Sequence, residues 1–389
     1  MDVKSLAEQA ESYIIERRRY YHTCPELTGE EKETRASIRK DLEALGITDI
    51  REMEKCYGLV ATIHGGKPGK TVALRTDIDA LPVFEKTGLP FASKVDGKMH
   101  ACGHDNHIAM LLGAAKILSE HKDELNGNVV LVVQPAEESV LGAKWMMNEN
   151  ALDGVDAIYG AHIWGNFDAP YINIESGPRM AYMSTFTIDI EGVSAHGSAP
   201  HLGVDAITCA AAVINSLQQY VSRMNDPLDP LVLTMGTIHG GSRFNVIANH
   251  VTIEGTLRAY HSDGHETIMR RIIENTCAAL NCKGSLDYVD GVGAVINDDD
   301  DLTELARNAV TKLYGAETLK PLKKMLGSED FAVYAEAVPA VFGFIGSRNP
   351  EKGYIYTNHH EKYDVDESVL HRGTGVMVQF AVDYLNSAL

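Results

Sequence analysis

No apolar run in the 389 residues reaches the ~18 needed to span a membrane. Met1 opens into the polar segment MDVKSLAEQAE with no signal-peptide hydrophobic region. Both absences lead to the expectation of a cytoplasmic protein. Basic residues are also scarce: 35 Lys and Arg stand against 54 Asp and Glu, for a formal net charge of −19. Such a surface argues against nucleic acid or an anionic membrane as the main partner. The six cysteines, Cys24, Cys56, Cys102, Cys209, Cys277 and Cys282, lack framework spacing, so reduced thiols are expected. No internal repeat or low-complexity tract is evident. What is present, 44% hydrophobic and 23% charged residues, is ordinary for a soluble globular enzyme, and the length suits roughly two to three domains.

The chemistry is densest in MHACGHDNHIAM, Met99 to Met110, which holds Cys102, His104 and His107. Small Ala101 and Gly103 alternate with Cys102 and His104, so both side chains can approach one point. Asp105 or Asn106 reads as an N-cap. Ile108, Leu111, Leu112, Ala115 and Leu118 then follow at helical spacing with one buried face. A Cys-x-His pair before a helix N-terminus has its thiol pKa lowered there, and thiolate with imidazole suits a transition metal. A buried Cys beside a polar loop is the plainer alternative.

Residues 4 to 21 carry a helical pattern, and a second helix ends at Gly46; His22, between them, reads as a loop or surface residue. LVATIHG and TVALRTD read as strands, with Gly65 to Lys70 as a hairpin-like link. The second strand delivers Arg75, Asp77 and Asp79. NVVLVVQPAEE, DAIYGAHIW and AVFGFIG repeat the pattern of a buried strand followed by polar groups: Glu137 and Glu138, His162, and then Asn358, His359 and His360. Sites in open α/β sheets are built at that edge.

From about Met183 to Asn297 the order changes to β-α-β-β-α-β, the ferredoxin-like split pattern. It reads as an inserted satellite domain, 183–297, within a first domain formed by 1–182 and 298–389. The acid run Asn297 to Asp301 reads as a solvated linker at the return.

Singly, His162 passes for a core histidine, and Glu137-Glu138 and His359-His360 for surface pairs. Together, Cys102, His104, Glu138, His162 and either His359 or His360 offer five ligands. That is too many for one tetrahedral catalytic Zn²⁺ with an open position. It suits two metals sharing a thiolate and a water, with a bend past Pro135 aiming one glutamate at metal and the other at the water.

The chain resembles the dinuclear metallo-aminoacylase and carboxypeptidase superfamily, in the branch of hippurate hydrolases, N-acyl-amino-acid amidohydrolases and plant auxin-conjugate hydrolases. The resemblance rests on LRTDIDALP, MHACGHDNH, QPAEE, GAHIW, AHGSAPH, GGSRFNVIAN, GTLRAY, GSEDF and HHEKYDVDE, in the family's order over nearly the whole chain. It implies a zinc-peptidase-like α/β catalytic domain with a mixed, mainly parallel sheet, plus an inserted ferredoxin-like α+β satellite that commonly dimerises. It implies two divalent ions per subunit, with Zn²⁺, Mn²⁺, Co²⁺ and Ni²⁺ not distinguished. Cys102 is then the bridge, with His104, Glu138, His162 and His359 completing the ligands. His360 is the alternative to His359, because the family's His-x-Pro-x-Phe is here His359-His360-Glu361-Lys362-Tyr363.

By the same resemblance Glu137 is the general base of amide hydrolysis, on an N-acyl amino acid, by metal-held water. Asp77 orients a ligand histidine, Asn245 and Arg258 contact substrate, and His196 reaches a partner subunit's site to stabilise the oxyanion. His201 and His239 read as structural. Rival readings are a dipeptidase or carboxypeptidase on the same scaffold, a thiol hydrolase with Cys102 as nucleophile, and a non-catalytic metal-binding protein, which leaves Glu137 without a task.

Overall fold

The computed structural model describes all 389 residues, in two compact units. One comprises Met1–Arg179, Val295–Lys324 and Glu329–Leu389; the other comprises Met180–Ala294 and Met325–Ser328. The boundaries expected at 183 and 297 differ by three residues at each end. The excursion Met325–Ser328 is not signalled in the sequence. It is tied into the second unit by the Ala181 N–H on Gly327 O (2.7 Å), the Tyr260 hydroxyl on Met325 O (2.7 Å) and Arg258 on Ser328 Oγ (2.7 Å).

The first unit is built on a seven-stranded sheet. Its strands are β1 (Asp49–Glu52), β2 (Leu59–His64), β3 (Lys67–Asp77), β4 (Asn126–Gln134), β5 (Ala157–Asp168), β6 (Ile172–Asn173) and β13 (Ala340–Arg348), in the spatial order β1-β2-β4-β3-β5-β13-β6. The four central strands, β4, β3, β5 and β13, run parallel, and the outer pairings are antiparallel. Val72, Leu74, Val129, Leu131, Val133, Tyr159 and Val341 are fully buried, the continuous apolar run expected of strands covered on both faces.

The covering helices of this unit are α1 (Val3–Thr23), α2 (Lys32–Ala44), α3 (His104–Glu120), α4 (Gly142–Met147), α7 (Asp300–Tyr314), α8 (Ala332–Ala335) and α9 (Leu370–Asn386). Helices α1, α3 and α9 pack on one another, and α3 and α9 also pack on β3.

Three local expectations change. β2 and β3 do not form a hairpin, because β4 pairs with both and lies between them. The acid run is not a linker: Asp299 caps α7 by accepting the Leu302 N–H at 2.8 Å, where carboxylates favour a helix N-terminus. His22 is neither loop nor surface. It closes α1 at 1% exposure, its Nδ1 2.8 Å from Asp105 and its Nε2 3.4 Å from Glu85.

The second unit contains β8 (Tyr182–Glu191), α5 (Ala206–Gln219), β9 (Val232–Gly240), β10 (His250–Ala259), α6 (His265–Ala279) and β11 (Lys283–Val292). Its antiparallel sheet has the order β11-β8-β10-β9, which is the split β-α-β pattern. Inward residues Ile188, Ile190, Val251, Ile253 and Leu257 meet Val213, Leu217, Met269 and Ile273 of the helices in its own core. Two short strands, β7 (Gly177–Met180) and β12 (Val295–Asn297), pair at the chain crossings. No helix is long and apolar enough to cross a membrane.

Candidate metal centre

The parallel strands deliver polar residues at one edge. β3 ends on Asp77, and Asp79 follows; β4 ends on Gln134; β5 carries His162 in register with Phe344 of β13. Between β3 and α3 the chain passes through Cys102, Gly103 and His104. Gly103 has φ +99°, and a Cβ there would meet Ile163 Cγ2 at 2.7 Å. Only glycine lets the Cys-x-His turn approach β5 this closely. The helix begins at His104 with Gly103 as its N-cap, not Asp105 or Asn106. Buried Asp105 instead takes Arg18 Nε at 2.9 Å and His22, contacts stronger than a capping bond.

The expected bend past Pro135 is present. Ala136 has φ +58°, and Glu137 and Glu138 open a short turn. Asp79 holds that turn: its two oxygens accept the backbone N–H groups of Glu137 and Glu138, each at 3.1 Å, and Oδ2 also accepts the Thr28 hydroxyl at 2.6 Å. Burial opposes the charge on Asp79, yet His104, Thr28 and the Glu138 N–H hold its carboxyl below the usual range.

The loop after β13 is fixed by Asn358. Its amide donates to Cys102 O at 2.7 Å and accepts the Gly165 N–H at 2.8 Å, while the His359 N–H donates to Ala101 O at 2.7 Å. His359 takes φ +70° and puts Nε2 3.2 Å from the Cys102 sulfur and 3.4 Å from Glu138 Oε1. His360 turns away, stacking on Tyr356 and accepting the Lys362 N–H.

Two donor sets result, each with its ligand atoms within 4.8 Å of one another: Cys102, His104 and His162; and Cys102, Glu138 and His359. Cys102 belongs to both. Glu137 lies outside these two sets but within the same reach of His104 and Glu138.

The donors fit divalent ions. His104 Nδ1 is bonded to Asp79 O at 2.8 Å, and its Nε2 is buried without a hydrogen-bond partner, as is Glu138 Oε1. His162 Nδ1 donates to Ile163 O at 2.7 Å, which leaves Nε2 facing Cys102 at 3.4 Å. Burial, with Glu138, Glu137 and Asp77, pushes the Cys102 thiol well up, so ionising it requires a cation alongside. Against the penalty of burial, Asp77, Asp79 and Glu138 raise His104 to about 10, a second sign of local negative charge awaiting neutralisation. Thiolate, imidazole and carboxylate together match a borderline-soft divalent ion.

Asp77 hydrogen-bonds no ligand histidine. Its Oδ2 is 3.8 Å from His104 Nε2, its Oδ1 is 2.6 Å from His107 Nδ1, and its Oδ2 accepts Arg75 at 2.7 Å. The orienting carboxyl residue beside His104 is Asp79. Asp79 and His107, named in the sequence without a role of their own, both lie against the candidate ligands: Asp79 on His104 and the Glu137-Glu138 turn, His107 on Asp77 and the Ile163 N–H. Arg75 further binds Gln134, Glu329 and Asp330 in a buried network. Burial, with Glu329, Glu138 and Asp330, raises the Glu137 carboxyl well above its ordinary range.

The second unit holds His196, Asn245 and Arg258. His196 is exposed, its Nδ1 2.7 Å from Ser198 Oγ, and it forms an isolated bridge with Val246. Asn245 has a buried Oδ1 without a partner. Arg258 donates to the Ser328 hydroxyl at 2.7 Å.

Fold and donor set together define a metal-dependent amidohydrolase. A family model described as peptidase family M20/M25/M40 matches residues 73–383, and the chain belongs to that family. It is 40% identical to N-acetyl-L-cysteine deacetylase of Bacillus subtilis, over 97% of this chain and 89% of that protein. It is 36% identical to thermostable carboxypeptidase 1 of Saccharolobus solfataricus, over 99% and 98%. Among solved structures, a dinuclear metal-binding peptidase of the M20 family from Bacillus subtilis superposes with a TM-score of 0.86 at 32% identity, covering 97% of this chain and 99% of that one.

Proposed function

We propose that the protein hydrolyses the amide bond of N-acyl amino acids with two divalent ions bound. The observation that carries this reading is the double membership of Cys102 in two donor sets, with Glu137 beside both and in neither. Cys102, His104 and His162 would hold one ion, and Cys102, Glu138 and His359 the other. When bound, the ions supply Lewis acidity and lower the pKa of the attacking water.

Glu137 takes the water's proton and returns it to the leaving amine, from a position within reach of His104 and Glu138. Asp79 keeps Glu137 and Glu138 on separate tasks by holding both backbone amides. Asn245 and Arg258 are assigned to substrate, His196 to the oxyanion of a partner subunit, and the second unit to dimerisation. These four assignments rest on the motif resemblance.

The relative named a carboxypeptidase favours a second reading, cleavage of peptides beside a free carboxylate. The deciding experiment is turnover by metal-reconstituted protein of N-acetyl and N-benzoyl amino acids against dipeptides. Faster turnover of the N-acyl series supports the proposal, and faster turnover of dipeptides establishes the peptidase.

A further inference from the structure

His107 is 1% exposed, in the first turn of α3, with its ring 4.6 Å from that of His162 and 5.5 Å from that of His104. Asp77, His104 and His107 have ligand atoms within 4.8 Å of one another, so His107 competes for the role of a metal ligand. Its hydrogen bonds decide against that role. The Ile163 N–H donates to His107 Nε2 at 2.8 Å, which occupies that lone pair and puts the ring proton on Nδ1. Nδ1–H then donates to Asp77 Oδ1 at 2.6 Å, while Asp77 Oδ2 is held by Arg75. Neither ring nitrogen has a lone pair left.

The recipient of this chain of bonds is the backbone of Ile163, on both sides of its Cα. Its N–H is fixed by His107, and its carbonyl accepts two donors. One is His162 Nδ1–H at 2.7 Å, which fixes the tautomer that leaves Nε2 facing Cys102. The other is the Asn358 amide at 3.2 Å, which also holds Cys102 O and precedes His359. The backbone of one residue therefore seats both His162, of the first Cys102 set, and Asn358, the neighbour of His359 in the second.

We propose that His107 is a positioning residue for both ions, acting through the backbone of Ile163 and anchored by Asp77 and Arg75. This rests on the dinuclear reading above. His107 touches neither ion. Without it, the Ile163 N–H is left buried without an acceptor, the backbone at Ile163 loses the bond that fixes it, and the aim of His162 and the seat of Asn358 loosen together.

The test uses the full-length apo-protein titrated with Co²⁺, in wild type and in His107→Phe, His107→Asn and His107→Gln. Thermal unfolding of each apo-protein confirms folding. An Asn amide stands near Nδ1 and keeps the donor to Asp77 but does not reach Ile163. A Gln amide reaches the Nε2 position and can accept the Ile163 N–H.

Wild type is expected to bind two ions. His107→Phe and His107→Asn should weaken both by about 10- to 100-fold, the range for residues that orient ligands, and His107→Gln should recover most of that loss. X-ray absorption of the loaded variants should show the wild-type number of nitrogen neighbours per cobalt. Where His107→Phe fails to fold, the Asn and Gln pair carries the comparison. Wild-type affinity in His107→Asn, or a missing nitrogen neighbour in a loaded variant, would overturn the proposal. Failure of wild type itself to bind two ions would remove the dinuclear reading and this role with it.

Discussion

His359 Nε2 lies 3.2 Å from the Cys102 sulfur across 257 positions of sequence. The contact is made with His359 at φ +70°, a conformation that costs a non-glycine residue energy and persists where surrounding bonds impose it. Asn358 and the His359 N–H supply those bonds. Without the family's proline, the loop still presents the first histidine of the pair.

His359→Ala should therefore lose metal from the set shared with Glu138, whereas His360→Ala should keep wild-type metal content. Metal analysis after dialysis reads the difference. The reverse pattern assigns the ligand to His360.

Glu137→Gln should keep its metal and lose roughly 10² to 10⁴ in turnover, the scale of a general base. Glu138→Gln should lose metal as well as activity. Equal metal loss in the two variants would contradict the division of tasks that Asp79 enforces on this pair.

Arg75 is 1% exposed and bonds Asp77, Glu329 and Asp330, each 1% exposed or less. Removing it by Arg75→Met strands three buried carboxyls, and breaking such a network typically costs about 3–5 kcal/mol. Urea unfolding of the apo-protein should show a loss of that order. A loss below ~1 kcal/mol would mean that the carboxyls are neutralised in some other way.

His22 gives stability a pH dependence of definite sign. Burial alone would lower its pKa, but Asp105 and Glu85 outweigh burial and the nearby Arg18, and the net shift is upward. A group whose folded pKa is raised stabilises fully below its unfolded value, near 6.5, and loses that contribution as pH rises through the folded value. In the apo-protein, the stability difference between wild type and His22→Gln should be largest near pH 6 and shrink toward alkaline pH. A difference that grows with pH would reverse the assignment.

The parts of this structure visible in the sequence are those with local causes. Val129 to Val133 announce a buried strand by composition, and the β-α-β-β-α-β segment announces itself by alternation and order. The insertion of β4 between β2 and β3 has no local cause: it depends on which distant strand satisfies the edge of β2, and GGKPGK reads equally well as a hairpin. His22 and Asp105 mislead for a related reason. A histidine before a loop and an aspartate at a helix start have good local readings as surface residue and cap, and only the approach of α1 to α3 with Arg18 makes them a buried ion network. Clustering within MHACGHDNH exposed the candidate ligands, but by itself it could not separate His107, whose nitrogens are both spent on Asp77 and Ile163, from His104, whose Nε2 has no hydrogen-bond partner.

The most direct test of the central claim, that Cys102 serves two ions at once, is metal stoichiometry measured together with activity while Mn²⁺ or Co²⁺ is titrated into apo wild type and apo Cys102→Ser. The account predicts two ions per chain in wild type, activity that depends on metal, and weakened binding of both ions in Cys102→Ser, where a neutral hydroxyl replaces an anionic thiolate. One ion per chain at full activity, or Cys102→Ser retaining both ions at wild-type affinity, would contradict it.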